Sequence, residues 1–165
     1  MSAPRFRAPK RSRKTRKGIA ATEMAIIAPV FLLLFLGVVE MSEAINANDV
    51  LSTALREGGR LASMDFAEIS MEDNDINGKV EDDIKNFLRA SEFPADAVTV
   101  NIVHADGQNA GADFDLADPA NYLKYCKIEA VVPYSAISQY PVHYLAGQNL
   151  SSSFVFRMGK VRLVE

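Results

Sequence analysis

Apolar residues are concentrated in one run near the N-terminus of the chain. Residues 24–39 contain no charge, and the run is bounded by Glu23 and Glu40. A helix rises about 1.5 Å per residue, so these roughly 16 residues cover about 24 Å, and a start at Gly18 extends the stretch to about 33 Å. The hydrocarbon core of a bilayer is about 30 Å thick. The pattern therefore predicts one transmembrane helix over residues 19–40.

Insertion of this run into a membrane is favourable by a simple energy estimate. About 11 of its residues are Leu, Ile, Val or Phe, which together contribute about −5 kcal/mol at mid-membrane. An acidic side chain costs roughly 2.5 to 3.5 kcal/mol at the bilayer centre and less toward the edge, where Glu23 would lie. Pro29 and Gly37 are compatible with this interpretation, because both residue types are tolerated better in membrane helices than in soluble ones.

Two other interpretations of the apolar run are open. A buried core helix of a soluble protein has a similar length, but it does not explain the cations that stand directly before the run. A removable signal peptide needs a small-x-small triplet after the run, and the chain instead continues with Val38, Val39, Glu40 and Met41. We therefore expect the segment to remain as an anchor.

The charge of the chain is divided between a basic arm and an acidic body. Of the 18 Lys and Arg residues, eight lie before Gly18, where no acidic residue occurs; ten basic and 21 acidic residues remain, a net charge of −11. Cations beside a membrane helix keep that end in the cytoplasm, so we expect the body beyond Glu40 on the other side. The arm is then an orientation signal, and we expect no nucleic-acid partner.

The helical pattern continues beyond the membrane segment. Apolar residues recur near helical spacing across residues 41–64, which predicts a single long helix from Ile19 to about Met64. Gly58 and Gly59 fall inside this stretch. Each costs about 1 kcal/mol relative to Ala in a helix interior, so the pair indicates either a weak point or a close approach of another backbone.

A linker and a short helix come next. Residues 65–78 are acidic and turn-rich, and their carboxylates lack the spacing of a calcium loop, so we expect a solvated linker. Residues 80–93 then place several apolar side chains on one helical face. This pattern predicts a short amphipathic helix that stops before Pro94.

Three later segments show the alternation of a β-strand. They are residues 98–103, 122–132 and 151–164. A loop over residues 104–121 joins the first two, and a connection of that length is either mobile or functional. The elements together predict an α+β fold: a long N-terminal transmembrane helical spine, followed by a short helix and a small antiparallel sheet in an extracytoplasmic domain over residues 79–165.

The junction before the apolar run has a distinctive composition. Basic residues, a glycine and then a carboxylate about one helical turn later occur across residues 16–24. The stretch GIAATEMAIIAPVFLLLFLGVVE, which starts at Gly18, resembles the prepilin processing site and N-terminal helix of TadE-like pseudopilins, the minor pilins of the Tad (Flp, tight adherence) type IV pilus system. The segment LREGGRLAS and, more loosely, the segments VVPYSAISQYP and LSSSFVFRM are similar to later parts of that family.

The resemblance implies that an aspartyl prepilin peptidase removes the basic leader, residues 1–18, by cleavage between Gly18 and Ile19. Glycine suits the scissile position because it lets the backbone lie extended in a protease cleft. Cleavage would leave an α-ammonium group on Ile19, and Glu23 follows about 6 Å along the helix axis. Its carboxylate can pair with that cation in the same or a neighbouring subunit, which would set the register of helix packing.

Candidate catalytic and metal-binding residues are few. Cys126 is the single cysteine, so no intrachain disulfide can form, and its spacing to His104 and His143 fits no ligand or catalytic motif. Phosphate-binding loops and nucleophile elbows do not occur in the sequence. We therefore predict no enzymatic activity, no cofactor and no metal site. The aromatic residues are expected in the core or at an interface, namely Tyr134, Tyr140, Tyr144, Phe154 and Phe156.

The sequence thus predicts a structural minor pilin or pseudopilin that acts in assembly of a Tad-type pilus as a priming, tip or accessory subunit. The implied partners are the prepilin peptidase, the major pilin and other minor pilins through the N-terminal helix, the membrane platform of the pilus machine, and lipid of the bacterial inner membrane. The extracytoplasmic domain would be periplasmic or, in a surface pilus, extracellular. The alternative is an uncleaved single-pass anchor whose extracytoplasmic domain binds a partner or ligand.

Overall fold

The computed structural model describes residues 14–63, 75–138 and 144–159, with side chains from Gly18 onward. Several predicted features lie outside the described residues: most of the basic leader, the linker residues 65–74, Tyr140, His143 and the last residues of the third predicted strand. The chain divides into two compact units, Met1–Val39 and Glu40–Glu165. Each unit is described by itself below.

The first helix, α1, spans Lys14–Ala62 and includes Pro29. This confirms the predicted long N-terminal helix, with a start a few residues earlier than Ile19. The apolar side chains of the first unit point outward: Ile26 is 73% exposed and Leu34 is 67% exposed. Only 6% of the most apolar stretch of the helix is buried. A core helix of a soluble protein would be mostly buried, so the exposed side chains contradict that interpretation.

The second helix, α2, spans Ile76–Ala90. It begins inside the segment that the sequence assigns to the linker, because Asp75 acts as an N-cap and accepts a hydrogen bond from the Gly78 backbone N–H at 2.8 Å. One face of the helix is buried through Val80, Ile84 and Leu88. The amphipathic pattern predicted this face correctly, but the start of the helix depends on the cap, which the apolar pattern does not reveal.

A three-stranded antiparallel sheet completes the second unit. Its strands are β1 (Thr99–His104), β2 (Tyr125–Pro133) and β3 (Asn149–Arg157), in the order β1-β2-β3. Along β2 the buried positions alternate strictly, and its inner residues are Cys126, Ile128, Ala130 and Val132. The α+β fold predicted from the sequence is therefore confirmed, with β2 three residues shorter at its start than the alternation suggested.

The core of the second unit lies between the sheet and the two helices. Its largest buried members from α1 are Leu51 and Leu55, which belong to one cluster with Ile84 of α2 and Ile128 of β2. Gly58 and Gly59 allow α1 to approach its neighbours. A Cβ atom at Gly59 would come within 2.6 Å of Phe154 Cε1, and one at Gly58 would collide with Ile84. The atoms nearest to this glycine pair are side-chain atoms of Ile84, Phe154 and Phe156, so side chains make the close approach here.

The connection between β1 and β2 is packed against the domain. Asn77 of α2 donates a hydrogen bond to the Phe114 carbonyl at 2.7 Å and accepts one from the Leu116 N–H at 3.0 Å. Phe114 and Leu116 are both fully or almost fully buried. Val103 forms an isolated antiparallel bridge with Asp113, which extends the sheet at the outer edge of β1. The second half of this long loop therefore has a structural role in the core.

Candidate functional site

The proposed processing position lies within helix α1. Gly18 and Ile19 are helical and exposed, and a Cβ atom at Gly18 would meet no atom within 4 Å. The Thr22 hydroxyl donates to the carbonyls of Gly18 at 3.2 Å and Ile19 at 2.8 Å. Such bonds from threonine to preceding carbonyls are common in helices. Access of a protease to the bond between Gly18 and Ile19 would require local unwinding and loss of these contacts.

Glu23 lies on the exposed surface of α1, one position after Thr22. It follows Ile19 by four positions, so the two residues share one side of the helix about 6 Å apart along the axis. Ile19 and Glu23 therefore lie on one side of α1, and Gly18 precedes Ile19 in the same helix. Apolar residues that follow Glu23 in this segment are also exposed, including Met24, Ile26 and Ile27.

A second polar cluster lies where α1 enters the second unit. Glu40 is only 3% exposed, and its carboxylate accepts backbone N–H groups of Tyr144 at 2.8 Å and Leu145 at 3.2 Å. The Tyr134 hydroxyl donates to the Glu40 carbonyl at 3.1 Å. In the sequence Glu40 marks only the end of the apolar run, and a single charge at that place does not indicate these long-range contacts.

Tyr134 is fully buried in this cluster. Burial raises the pKa of its phenol, a hydrogen bond with Ser138 opposes the shift, and the nearby carboxylates of Glu40 and Glu43 raise the pKa further. The phenol therefore stays protonated and remains a hydrogen-bond donor over the physiological pH range. Tyr134 thus attaches the segment after β2 to Glu40 of α1. The Glu40 carboxylate holds the turn before β3 at the same place.

His104 and Cys126, two of the residues weighed above as a catalytic or metal-binding set, are neighbours in the structure. His104 and Cys126 are directly opposite each other on β1 and β2, and both are buried. Burial raises the pKa of the Cys126 thiol to about 12, so the thiolate needed for nucleophilic attack is scarce at neutral pH. The His104 ring packs on Phe114 with a centroid distance of 4.6 Å. Within the described part of the chain no group of three or more potential ligands is placed to hold a metal ion.

Comparison with known proteins bears on the N-terminal helix. The family model described as TadE-like protein matches residues 18–60. This segment is TadE-like. The match starts at Gly18 and includes Glu23, the apolar stretch, Glu40 and the paired glycines, so the resemblance recognised in the sequence is confirmed for this part of the chain. No curated protein and no solved structure matches the chain significantly.

By its length and composition, α1 is a candidate membrane-spanning helix. The sheet and α2 lie outside the matched residues.

Proposed function

We propose that this protein is a structural minor pilin or pseudopilin of a Tad-type pilus, anchored by α1 in the bacterial inner membrane with its acidic domain on the outer side. The observation that carries the proposal is the TadE-like match over residues 18–60, which coincides with an apolar helix surface left exposed in the structure. Exposed apolar side chains need lipid or other helices around them. Lipid before assembly and pilin helices after assembly both meet that need.

We propose that a prepilin peptidase cleaves the chain between Gly18 and Ile19. A glycine before the scissile bond can adopt the extended backbone that a protease requires. The new α-ammonium group of Ile19 would then face the carboxylate of Glu23, either in the same helix or in a neighbour. In a low-dielectric environment this pair penalises any other stagger between helices, because a misplaced helix leaves a charge unmatched.

Replacement of Gly18 by leucine tests the processing step. The structure has open space at this position, so the variant keeps α1 intact and any effect reports on the peptidase. In cells that carry the pilus system, intact-mass measurement of the extracted protein should show Ile19 as the first residue of the wild-type chain and an uncut leader in Gly18→Leu. Ala25→Leu is the matched control, since it adds the same side chain at an exposed position of the helix and should be processed normally.

One observation favours the second candidate, an uncleaved single-pass anchor whose domain binds a partner. Helix α1 continues through the bond between Gly18 and Ile19, and the Thr22 hydroxyl contacts both carbonyls. For an uncleaved anchor, the wild-type protein and Gly18→Leu would both retain residues 1–18 and would localise identically. That result would remove the pilin proposal and leave the membrane anchor.

The assembly role of Glu23 has a separate test. Glu23→Gln keeps the size of the side chain and removes its charge, so it should be processed but should enter pilus material poorly. Glu23→Asp retains the charge and should recover part of the incorporation. Equal incorporation of Glu23→Gln and wild type into sheared pilus fractions would show that the charge has no role in helix register.

A further inference from the structure

A groove of about 510 Å³ opens on the second unit, between α1, the segment before β1 and the segment after β2. It combines an apolar floor with carboxylates. The apolar side chains include Val50, Phe93 and Ile137, and the acidic ones are Glu43 and Glu92. A surface of this composition suits a segment that carries cationic side chains between apolar ones.

Glu43 gives the groove an unmet requirement. Its Oε2 atom is buried, and no group in the described part of the chain donates a hydrogen bond to it. A buried carboxylate oxygen without a donor is costly unless a cation or donor is brought to it. Glu92 lies at the same groove, directly after the C-cap of α2, where its left-handed backbone (φ = 57°) ends the helix.

The complementary chemistry occurs at the C-terminal end of the same chain. Beyond the leader the protein has ten basic residues against 21 acidic ones, yet residues 157–165, RMGKVRLVE, contain three basic residues and one acidic residue, Glu165. Lys160 and Arg162 alternate with Val161 and Leu163. In an extended segment such alternation places both cations on one side and both apolar residues on the other.

The tail of the same copy is too short to reach the groove. Near the start of β3, the hydroxyl of Ser152 lies 2.8 Å from that of Ser52 on α1. Two residues later, Phe154 lies beside Gly59 of α1. Strand β3 therefore runs along α1 away from Glu43. The nine residues of β3 extend over about 27 Å. Arg162 follows Gly159 by three residues, which span at most about 11 Å.

From these four observations we infer that the groove of one copy binds the C-terminal tail, residues 160–164, of a second copy. Lys160 and Arg162 meet Glu43 and Glu92, and the intervening apolar side chains contact the floor of the groove. Groove and tail are different surfaces, so the contact is head-to-tail and leaves a free groove and a free tail at the ends of any row of copies. The inference rests on the proposed assembly role for the presence of neighbouring copies in one membrane.

Disulfide trapping between two differently tagged full-length chains tests the contact in lipid vesicles that contain no peptidase and no pilus machinery. One chain carries Asn46→Cys at the groove and the other carries Val161→Cys in the tail. Oxidation should produce the mixed dimer at a yield about tenfold above that of a control pair in which Asp106→Cys replaces Asn46→Cys. Equal yields from the two pairs would overturn the inference without affecting the processing proposal.

Charge exchange supplies the second arm of the test. Glu43→Lys in the groove chain or Arg162→Glu in the tail chain should each lower the trapped yield by about tenfold, because like charges then meet. The two substitutions together should restore most of the yield. Asp82→Lys, a charge reversal at an exposed position of α2 outside the groove, should leave it unchanged. Loss of yield without restoration in the exchanged pair, or no loss in either single variant, would overturn the proposed contact.

Discussion

Gly58 of α1 lies directly against Ile84 of α2, with so little space between them that a Cβ atom at Gly58 would come within 2.6 Å of the Ile84 Cδ1 atom. Ile84 is only 1% exposed and cannot move outward without disturbing the core. The absence of a side chain at Gly58 therefore determines how closely the two helices of the second unit pack.

Gly58→Ala should destabilise the domain although alanine is the better helix former. The gain in helix propensity is about 1 kcal/mol, but forcing a methyl group into a filled core costs about 1 to 3 kcal/mol plus any shift of α2. We expect a net loss of up to about 2 kcal/mol in the free energy of unfolding, measured by urea titration in mild detergent with tyrosine fluorescence. Gly18→Ala, at an open helix position, should be neutral or slightly stabilising, and a loss of the same size there would contradict this packing explanation.

Glu40→Gln should weaken the domain where α1 enters it. The carboxylate accepts two backbone N–H groups, and the amide offers one oxygen and places an NH₂ group against the other donor. Hydrogen bonds to charged groups contribute about 1.5 to 3 kcal/mol, so we expect a loss of about that size by the same urea titration. Glu43→Gln is the matched control, because its Oε2 atom has no donor among the described residues. A loss at Glu43 as large as that at Glu40 would contradict the assigned contacts.

Asn77→Ala should release the loop between β1 and β2. The side-chain amide donates a hydrogen bond to the Phe114 carbonyl and accepts one from the Leu116 N–H. Its removal leaves these two backbone groups without that partner. We expect a loss of about 2 to 3 kcal/mol in stability and faster proteolysis within residues 105–117 under native conditions. Asn86→Ala, on the exposed side of the same helix, should change neither property. Unchanged cleavage of the loop in Asn77→Ala would show that other contacts hold it.

Ionisation of Cys126 should lower the stability of the domain at alkaline pH. Its pKa is about 12 in the folded chain and near 9 when unfolded, so ionisation above pH 9 favours the unfolded state. The stability that the neutral thiol contributes is fully present below pH 9. It is lost at up to about 1.4 kcal/mol per pH unit between pH 9 and 12. Unfolding titrations at pH 7.5 and 10.5 should show a smaller decline for Cys126→Ala than for wild type. Identical declines would contradict a buried neutral thiol.

Sequence patterns predicted those parts of the fold that depend on local periodicity. The exposed apolar part of α1, the buried face of α2 and the alternation of Cys126, Ile128 and Ala130 along β2 all follow from spacing alone. The same holds for Gly18, Ile19 and Glu23, whose helical arrangement follows from their separation in sequence.

Contacts between distant residues were not visible in the sequence. The bonds of Glu40 to Tyr144 and Leu145, the anchoring of the loop by Asn77, and the pairing of His104 with Cys126 all depend on the register of the sheet and on its packing against the helices. Side-chain type and spacing carry no information about such register. The length of the loop predicts only that it is mobile or functional, whereas the burial of Phe114 and Leu116 places its second half in the core.

Protease accessibility of the intact membrane tests the central claim, a membrane anchor that holds the acidic domain on the outer side. Added protease should digest the region beyond Glu40 in spheroplasts, where cleavage in loops such as residues 106–111 is available, and should leave that region intact in inverted vesicles. The opposite pattern, protection in spheroplasts with free digestion in inverted vesicles, would contradict the account.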